Sequence, residues 1–272
     1  MPFRLAGGAQ PLMLLPVSVN GHGPFQFILD TGAGTTLLTR SLATQLNITP
    51  TGAKRGQTAG GAVDVKLSTL EIIAVGELIR EHVDVAIVDL SHLERAVGAK
   101  IDGDLGHNVF GASRLTIDYR QSVLRIDDPK GSEDLGRQPL AEVPARLAHP
   151  GKPLILVDAH VNGCGPFCFA IDTGTSTSVI GDELARELQL QTSAGGNVTT
   201  GSASISMTAA RLETVRVGGC QVGELMVMVG GFLPMLSNVI GTKLDGIIGY
   251  DFLRSFKVVI DYPNGSFSLF SA

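Results

Sequence analysis

The chain has 272 residues, 44% of them apolar and 17% charged, a balance that fits a packed globular protein and excludes extended disorder. Its net charge of −5 comes without basic runs, which gives no basis for binding nucleic acid or anionic lipid. No apolar run reaches the length of a membrane span, and Met1-Pro2-Phe3-Arg4-Leu5 lacks the charged-then-apolar form of a signal peptide, so the sequence as it stands is expected to carry no export signal and does not name a compartment.

Abundant glycine, 34 residues, with common Val, Ile and Thr favours strands joined by tight turns. Leu12 to Val19 reads as a strand, Asn20 to Pro24 as a turn and Phe25 to Leu29 as the return strand of a hairpin. Asp30-Thr31-Gly32 then makes a turn whose glycine is expected to adopt a backbone closed to β-branched residues. Thr39 to Ile48 reads as a short helix capped by Thr39, with Leu42 and Leu46 on one face. The polar, glycine-rich stretch from Thr51 to Gly61 reads as a loop or hairpin. Val63 to Val88 reads as two or three strands, with clear alternation from Val83 to Val88. Ser91 to Val97 reads as a helical turn, and Asp102-Gly103-Asp104-Leu105-Gly106 as a tight segment before a short helix from His107. Leu115 to Tyr119 and Val123 to Ile126 close the unit as a hairpin. Asp128 to Gly151, with four prolines and scattered charges, reads as a linker. After it come another hairpin, a helix from about Asp182 to Leu190, a polar loop holding Gly195, Gly196 and Gly201, and strands through Val215 to Val217 and Leu225 to Val229.

The second half repeats the first. Phe27-Ile28-Leu29-Asp30-Thr31-Gly32-Ala33 returns as Phe169-Ala170-Ile171-Asp172-Thr173-Gly174-Thr175. The flanks return too, Val19-Asn20-Gly21-His22-Gly23-Pro24-Phe25 as Val161-Asn162-Gly163-Cys164-Gly165-Pro166-Phe167. Asp245-Gly246-Ile247-Ile248-Gly249 matches the Asp102 segment, and Ile260-Asp261-Tyr262 matches Ile117-Asp118-Tyr119. The period is too long for a solenoid and implies two similar lobes related by an approximate twofold axis. Residues 1–128 form the first, 129–150 the linker and 151–272 the second.

Asp30 and Asp172 therefore stand at matching places in two copies of one unit. Two carboxylates brought close together cannot both ionise cheaply, so they share a proton. The ionised one takes a proton from water as general base, and the protonated one serves a carbonyl as general acid. Such a pair calls for no metal, no cofactor and no covalent intermediate. The plain alternative is that each aspartate only caps a tight turn.

A hairpin into Asp-Thr-Gly, a polar flap, then two apolar residues and Gly before a short helix resembles the retropepsin-like aspartic proteases. Two such units in tandem resemble a fused pseudo-dimer, similar in plan to the bilobal pepsins and closest to bacterial retropepsin-like proteins. The resemblance covers nearly the whole chain except the linker. It implies an all-β, two-lobed fold with few short helices, and an aspartic endopeptidase acting on peptide or protein substrates. It also implies a water held between Asp30 and Asp172, with Thr31, Gly32, Thr173, Gly174 and Thr175 in support. Flaps are implied from about Arg55 to Gly61 and from about Gly195 to Ser204. Apolar strands lining the cleft are expected to favour apolar residues on both sides of the cut. A binding module that keeps the fold without cleavage is the main rival. Asp-x-Gly followed by Thr or Ser also resembles the phosphate loops of actin-like and sugar-kinase ATPases, but the chain is short for that fold and offers too few helical segments. Pairing of lobes within one chain, giving a monomer, is expected over pairing between chains.

Three residue-level expectations complete the reading. Asp104 and Leu105 stand where the family usually has two apolar residues before the glycine, as the second lobe does with Ile247 and Ile248, and a buried carboxylate is costly unless paired or neutral. Thr175 follows the second triplet where Ala33 follows the first; its hydroxyl is expected to bond Asp172, leaving the shared proton mainly on Asp30. Cys164 and Cys168 read as unlinked thiols, with a hairpin disulfide and a zinc site with His160 as the lesser alternatives. Cys220 reads as a lone structural thiol, and the histidines show no pairing that would form a triad.

Overall fold

A computed structural model describes residues 1–58, 61–127, 138–149, 152–199 and 204–272. Strands make up 56% of it and six short helices the rest of its regular structure, in two barrel-like lobes. Among the described residues each lobe holds one eight-stranded sheet, and a third, five-stranded sheet joins the lobes.

The first lobe starts with the expected hairpin. Leu12–Val19 pairs antiparallel with His22–Leu29, with Leu14 opposite Ile28. In the second, Lys152–Val161 pairs with Cys164–Ile171, with Leu156 opposite Ala170. Each return strand runs into its Asp-Thr-Gly turn, and the chain comes back as Thr36–Thr39 or Val179–Gly181. Between the strand that enters the turn and the one that leaves it lies a three-residue strand from the late segment. Gly103–Leu105 pairs parallel with His22–Leu29 and antiparallel with Thr36–Thr39. Gly246–Ile248 does the same in the second lobe. The segments expected to be tight turns are thus the central strands of their sheets. Their backbones hold the turns in place: the Asp30 N–H donates to the Leu105 carbonyl at 3.1 Å, and the Asp172 N–H to the Ile248 carbonyl at 3.0 Å.

The stretch from Val63 to Val88 resolves into two strands, Gly61–Val75 and Leu78–Val88. Gly52–Thr58 pairs with the first of these, so this part of the Thr51–Gly61 stretch is hairpin rather than loop. Thr192–Thr199 and Ser204–Val217 form the matching pair. The tips of both expected flaps, residues 59–60 and 200–203, lie outside the described residues. The first helix is Arg40–Gln45, capped as expected by Thr39, whose hydroxyl accepts from the Leu42 N–H at 3.2 Å. It ends short of Ile48 because Asn47 turns left-handed, with φ of 53°.

Two departures have clear causes. Much of residues 128–151 lies outside the described residues, but Ala141–Pro144 is a strand on Ser266–Ser271, and Arg146–His149 is a strand on Lys152–Val161. Both lie at sheet edges, where a proline costs no ladder bond, so Pro144, one of the prolines that read as linker, is compatible with pairing. The helix Leu233–Ile240 has no counterpart in the sequence reading, although Pro234 in its first turn and left-handed Gly241 at its end are ordinary start and stop signals.

The five-stranded sheet runs in the order Val123–Asp127, Arg114–Asp118, Phe256–Asp261, Ser266–Ser271, Ala141–Pro144, so both halves of the chain contribute to it. One apolar core passes through both lobes, including Phe27, Leu29 and Phe110 from the first and Phe169, Ile171 and Phe252 from the second. The face of each lobe away from that core carries its own smaller cluster, with Leu14, Ile28 and Ala86 in one and Leu156, Ala170 and Met228 in the other.

Candidate active site

The two Asp-Thr-Gly turns meet where the lobes meet. Thr31 and Thr173 lock them together with four reciprocal bonds. The Thr31 hydroxyl donates to the Ile171 carbonyl at 3.0 Å and accepts from the Thr173 N–H at 3.0 Å. The Thr173 hydroxyl donates to the Leu29 carbonyl at 2.7 Å and accepts from the Thr31 N–H at 3.1 Å. Both threonines are buried, so every one of these groups depends on its partner in the other lobe.

On this base Asp30 and Asp172 face each other. The Gly32 N–H donates to Asp30 Oδ1 at 2.7 Å, and the Gly174 N–H donates to Asp172 Oδ1 at 2.8 Å. Each carboxyl also lies over the other lobe's glycine. A Cβ on Gly32 would lie 2.7 Å from Asp172 Oδ2, and one on Gly174 would lie 2.4 Å from Asp30 Cγ. Neither glycine has a positive φ. The expectation that Gly32 serves an unusual backbone is therefore corrected: it is required because a carboxyl occupies the space of a side chain. Burial pushes the Asp172 carboxyl well above the usual carboxylate range, the charge of Asp30 and a hydrogen bond to it push the same way, and the N–H groups of Gly174 and Gly32 oppose them.

Thr175 behaves differently from expectation. Its hydroxyl donates to the Thr177 carbonyl at 3.3 Å, inside its own loop, and not to Asp172. The basis for making Asp172 the more acidic partner is gone, and the direction of its shift is opposite.

Several residues that hold the site were not singled out by the sequence reading. The Thr36 N–H and hydroxyl donate to Asn108 Oδ1 at 2.9 and 2.8 Å, and the Gly106 N–H donates to the Thr36 hydroxyl at 3.1 Å. In the second lobe Ser178 and Asp251 do the same work, at 2.9 and 2.6 Å, with the Gly249 N–H on the Ser178 hydroxyl at 3.0 Å. These contacts tie each late glycine to the segment that leaves the Asp-Thr-Gly turn. Asp102 and Asp245 brace the hairpins from behind, accepting from the N–H groups of Gln26 and Cys168, each at 2.9 Å. Lys100 and Lys243 pair with them at 2.7 and 3.1 Å. All four pairs fall at matching places in the repeat, which is the signal that would have found them.

Below the turns, aromatic residues cross between lobes. His107 packs edge-on against Tyr262 at 5.0 Å, and Tyr119 against Tyr250 at 5.4 Å. Burial raises Tyr262 well above its ordinary value, and the charges of Asp30 and Asp172 add to this. Away from the site Cys164, Cys168 and Cys220 are free thiols, and among the described residues no group of three or more His, Cys, Asp or Glu side chains is arranged to hold a metal ion. Among the described residues no helix is long and apolar enough to cross a membrane.

A family model described as aspartyl protease matches residues 15–113 and again residues 157–252, once per lobe. A search of curated proteins finds no match. Each matched span contains one Asp-Thr-Gly turn and its late glycine strand, and together they cover most of the chain. The chain belongs to the aspartyl protease family, as a retropepsin-like member with two lobes in tandem.

Proposed function

We propose that this protein is an aspartic endopeptidase, in which Asp30 of the lobe within residues 1–128 and Asp172 of the lobe within residues 151–272 activate one water against a peptide bond. The observation that carries the reading is the mutual placement of the pair: each carboxyl is held by its own glycine N–H and lies over the glycine of the other lobe. A turn-capping aspartate needs the first contact but not the second.

One proton is shared by the pair. The ionised carboxyl takes a proton from the water, whose oxygen attacks the carbonyl carbon, while the protonated carboxyl donates to the carbonyl oxygen. The tetrahedral intermediate then collapses as its nitrogen takes the proton that the first carboxyl drew from the water and one of its hydroxyls returns a proton to the other carboxyl, and the C–N bond breaks. Neither carboxyl bonds covalently to the substrate. Thr31 and Thr173 fix the separation of the two groups, and Gly32 and Gly174 leave the room for it. The substrate is a peptide or protein segment, and one chain supplies the whole site.

The test is incubation with a peptide library at several pH values, with and without a statine-type inhibitor. Inhibitor-sensitive cleavage is expected. Asp30→Asn and Asp172→Asn, each alone, should lower the rate by at least about a thousandfold, because each carboxyl has its own proton-transfer role. Both variants should keep the native circular dichroism spectrum. Peptide binding without cleavage by the unmodified protein would favour the binding-module alternative, and full activity in either variant would sink the pairing.

A further inference from the structure

A third carboxyl stands beside the pair. Asp104 lies at the centre of the strand Gly103–Leu105, opposite Ile28 on the strand that enters the first turn and opposite Leu37 on the strand that leaves it. Only 7% of its surface is exposed. Its Oδ1 is buried without a hydrogen-bond partner among the described residues. Ile28 stands two residues before Asp30, so the alternation of the strand places Asp104 and Asp30 on one face, and the groups acting on Asp104 are Asp30, by charge and by a side-chain hydrogen bond, and Asp172, both of its own sign. In the second lobe Ile247 fills the matching place, so the fold itself does not require a carboxyl there.

An ionised Asp104 in this place is an acceptor without a donor, facing two further acids. A protonated Asp104 is a donor with an acceptor in reach. We propose that Asp104 is a positioning residue that stays protonated in the resting enzyme and donates a hydrogen bond to Asp30, so that Asp30 is the general base and Asp172 carries the proton of the pair. The proposal depends on the peptidase reading of the same site and adds to it: the approximate twofold symmetry leaves the roles of the two aspartates open, and one residue of the first lobe assigns them. The direction found for Asp104, raised by burial first and then by Asp30, agrees with this, as does the raised Asp172. A hydrogen bond to the ionised member lowers the first apparent pKa of such a cluster, and the values belong to the cluster as a whole.

Two variants separate the donor from the acid. Asp104→Asn keeps a donor of nearly the same shape, and Asp104→Val removes it. In the pH profile of kcat/KM, Asp104→Val should move the acid limb upward by about one unit, roughly a tenfold loss on the acid side, while Asp104→Asn leaves that limb in place. A purely structural role would not distinguish the two in this way. The second readout needs no substrate: nuclear magnetic resonance of isotope-labelled aspartate carboxyl carbons in the resting protein. The signal that Asp104→Asn deletes should remain at its neutral-acid position at a pH where ordinary aspartates have ionised. An ordinary carboxylate signal for Asp104, or an acid limb that both variants move alike or neither moves, overturns the proposal. If no peptide is cleaved, the peptidase reading fails, and the carboxyl signal alone still decides where the Asp104 proton is.

Discussion

At the scale of single residues, the site is a cluster of acids whose burial has a consequence for folding. Asp104 and Asp172 both hold their protons to higher pH in the fold than in an unfolded chain, because burial and like charge disfavour ionisation. Between the ordinary carboxylate value and the raised folded values, the native state binds more protons than the unfolded state. Stability from these groups is therefore complete below the ordinary carboxylate range and is lost as pH rises through the folded values. Removing one acid should remove part of that slope. Asp104→Val is expected to flatten the fall in urea midpoint as pH rises above the ordinary carboxylate range, and to be more stable than the parent at neutral pH by about 1–3 kcal/mol. Parallel curves for parent and variant would mean that Asp104 ionises normally in the fold. The sequence made this residue visible as a misfit, since a strand flanked by apolar neighbours held a carboxylate where its repeat held isoleucine. What it did not reveal was the distance to Asp30, which depends on how two strands far apart in sequence align. Gly32 shows the opposite case. The residue was identified, but its reason was not, because the group that excludes a side chain is the Asp172 carboxyl of the other lobe, far away along the chain.

At the scale of elements, the turns are fixed by bonds that no single lobe can make. Thr31→Val keeps the shape of the side chain but removes a donor to the Ile171 carbonyl and an acceptor for the Thr173 N–H. Thr173→Val does the same to the Leu29 carbonyl and the Thr31 N–H. Each leaves two buried backbone groups without partners, and at about 1–3 kcal/mol per orphan the expected loss is about 2–4 kcal/mol after local relaxation. The bonds form one network, so the double variant should lose less than the sum of the singles. Urea denaturation of the three variants measures this. Losses under about 0.5 kcal/mol for both single variants would mean that the hydroxyls do not hold the lobes. Elements near the repeated motif were legible because alternation, a capping threonine and turn glycines all pointed the same way. The edge strands Ala141–Pro144 and Arg146–His149 were not: the first ends in Pro144, which is neutral at an edge and disruptive elsewhere, the second is four residues long, and nothing local says that either pairs. The long hairpins were legible in direction but not in length, since Gly61–Val75 and Ser204–Val217 mix polar and apolar residues along their whole length.

At the scale of the whole molecule, the twofold relation seen in the sequence becomes a single body with one core and one shared sheet. Arg114–Asp118 of the first half lies directly against Phe256–Asp261 of the second, with Ile117 opposite Val258. The core that contains Phe27 also contains Phe169 and Phe252. His107 and Tyr262, and Tyr119 and Tyr250, close the contact beneath the two aspartates. A site assembled this way from two halves of one chain does not depend on meeting a second molecule, because the peptide between the halves keeps their effective concentration high at any dilution. Specific activity should therefore stay constant from about 10 µM down to about 10 nM, and light scattering at the upper concentration should give the mass of one chain. An inhibitor titration should reach its end point at one inhibitor per chain. An assembly whose active pair came from two molecules would behave otherwise. Its specific activity would fall steeply once the concentration passed below its dissociation constant, and mixing Asp30→Asn with Asp172→Asn would restore cleavage by rebuilding one intact pair. Flat dilution together with no rescue on mixing is the expected result, and either a steep fall or a rescue would move the active pair to an interface between chains.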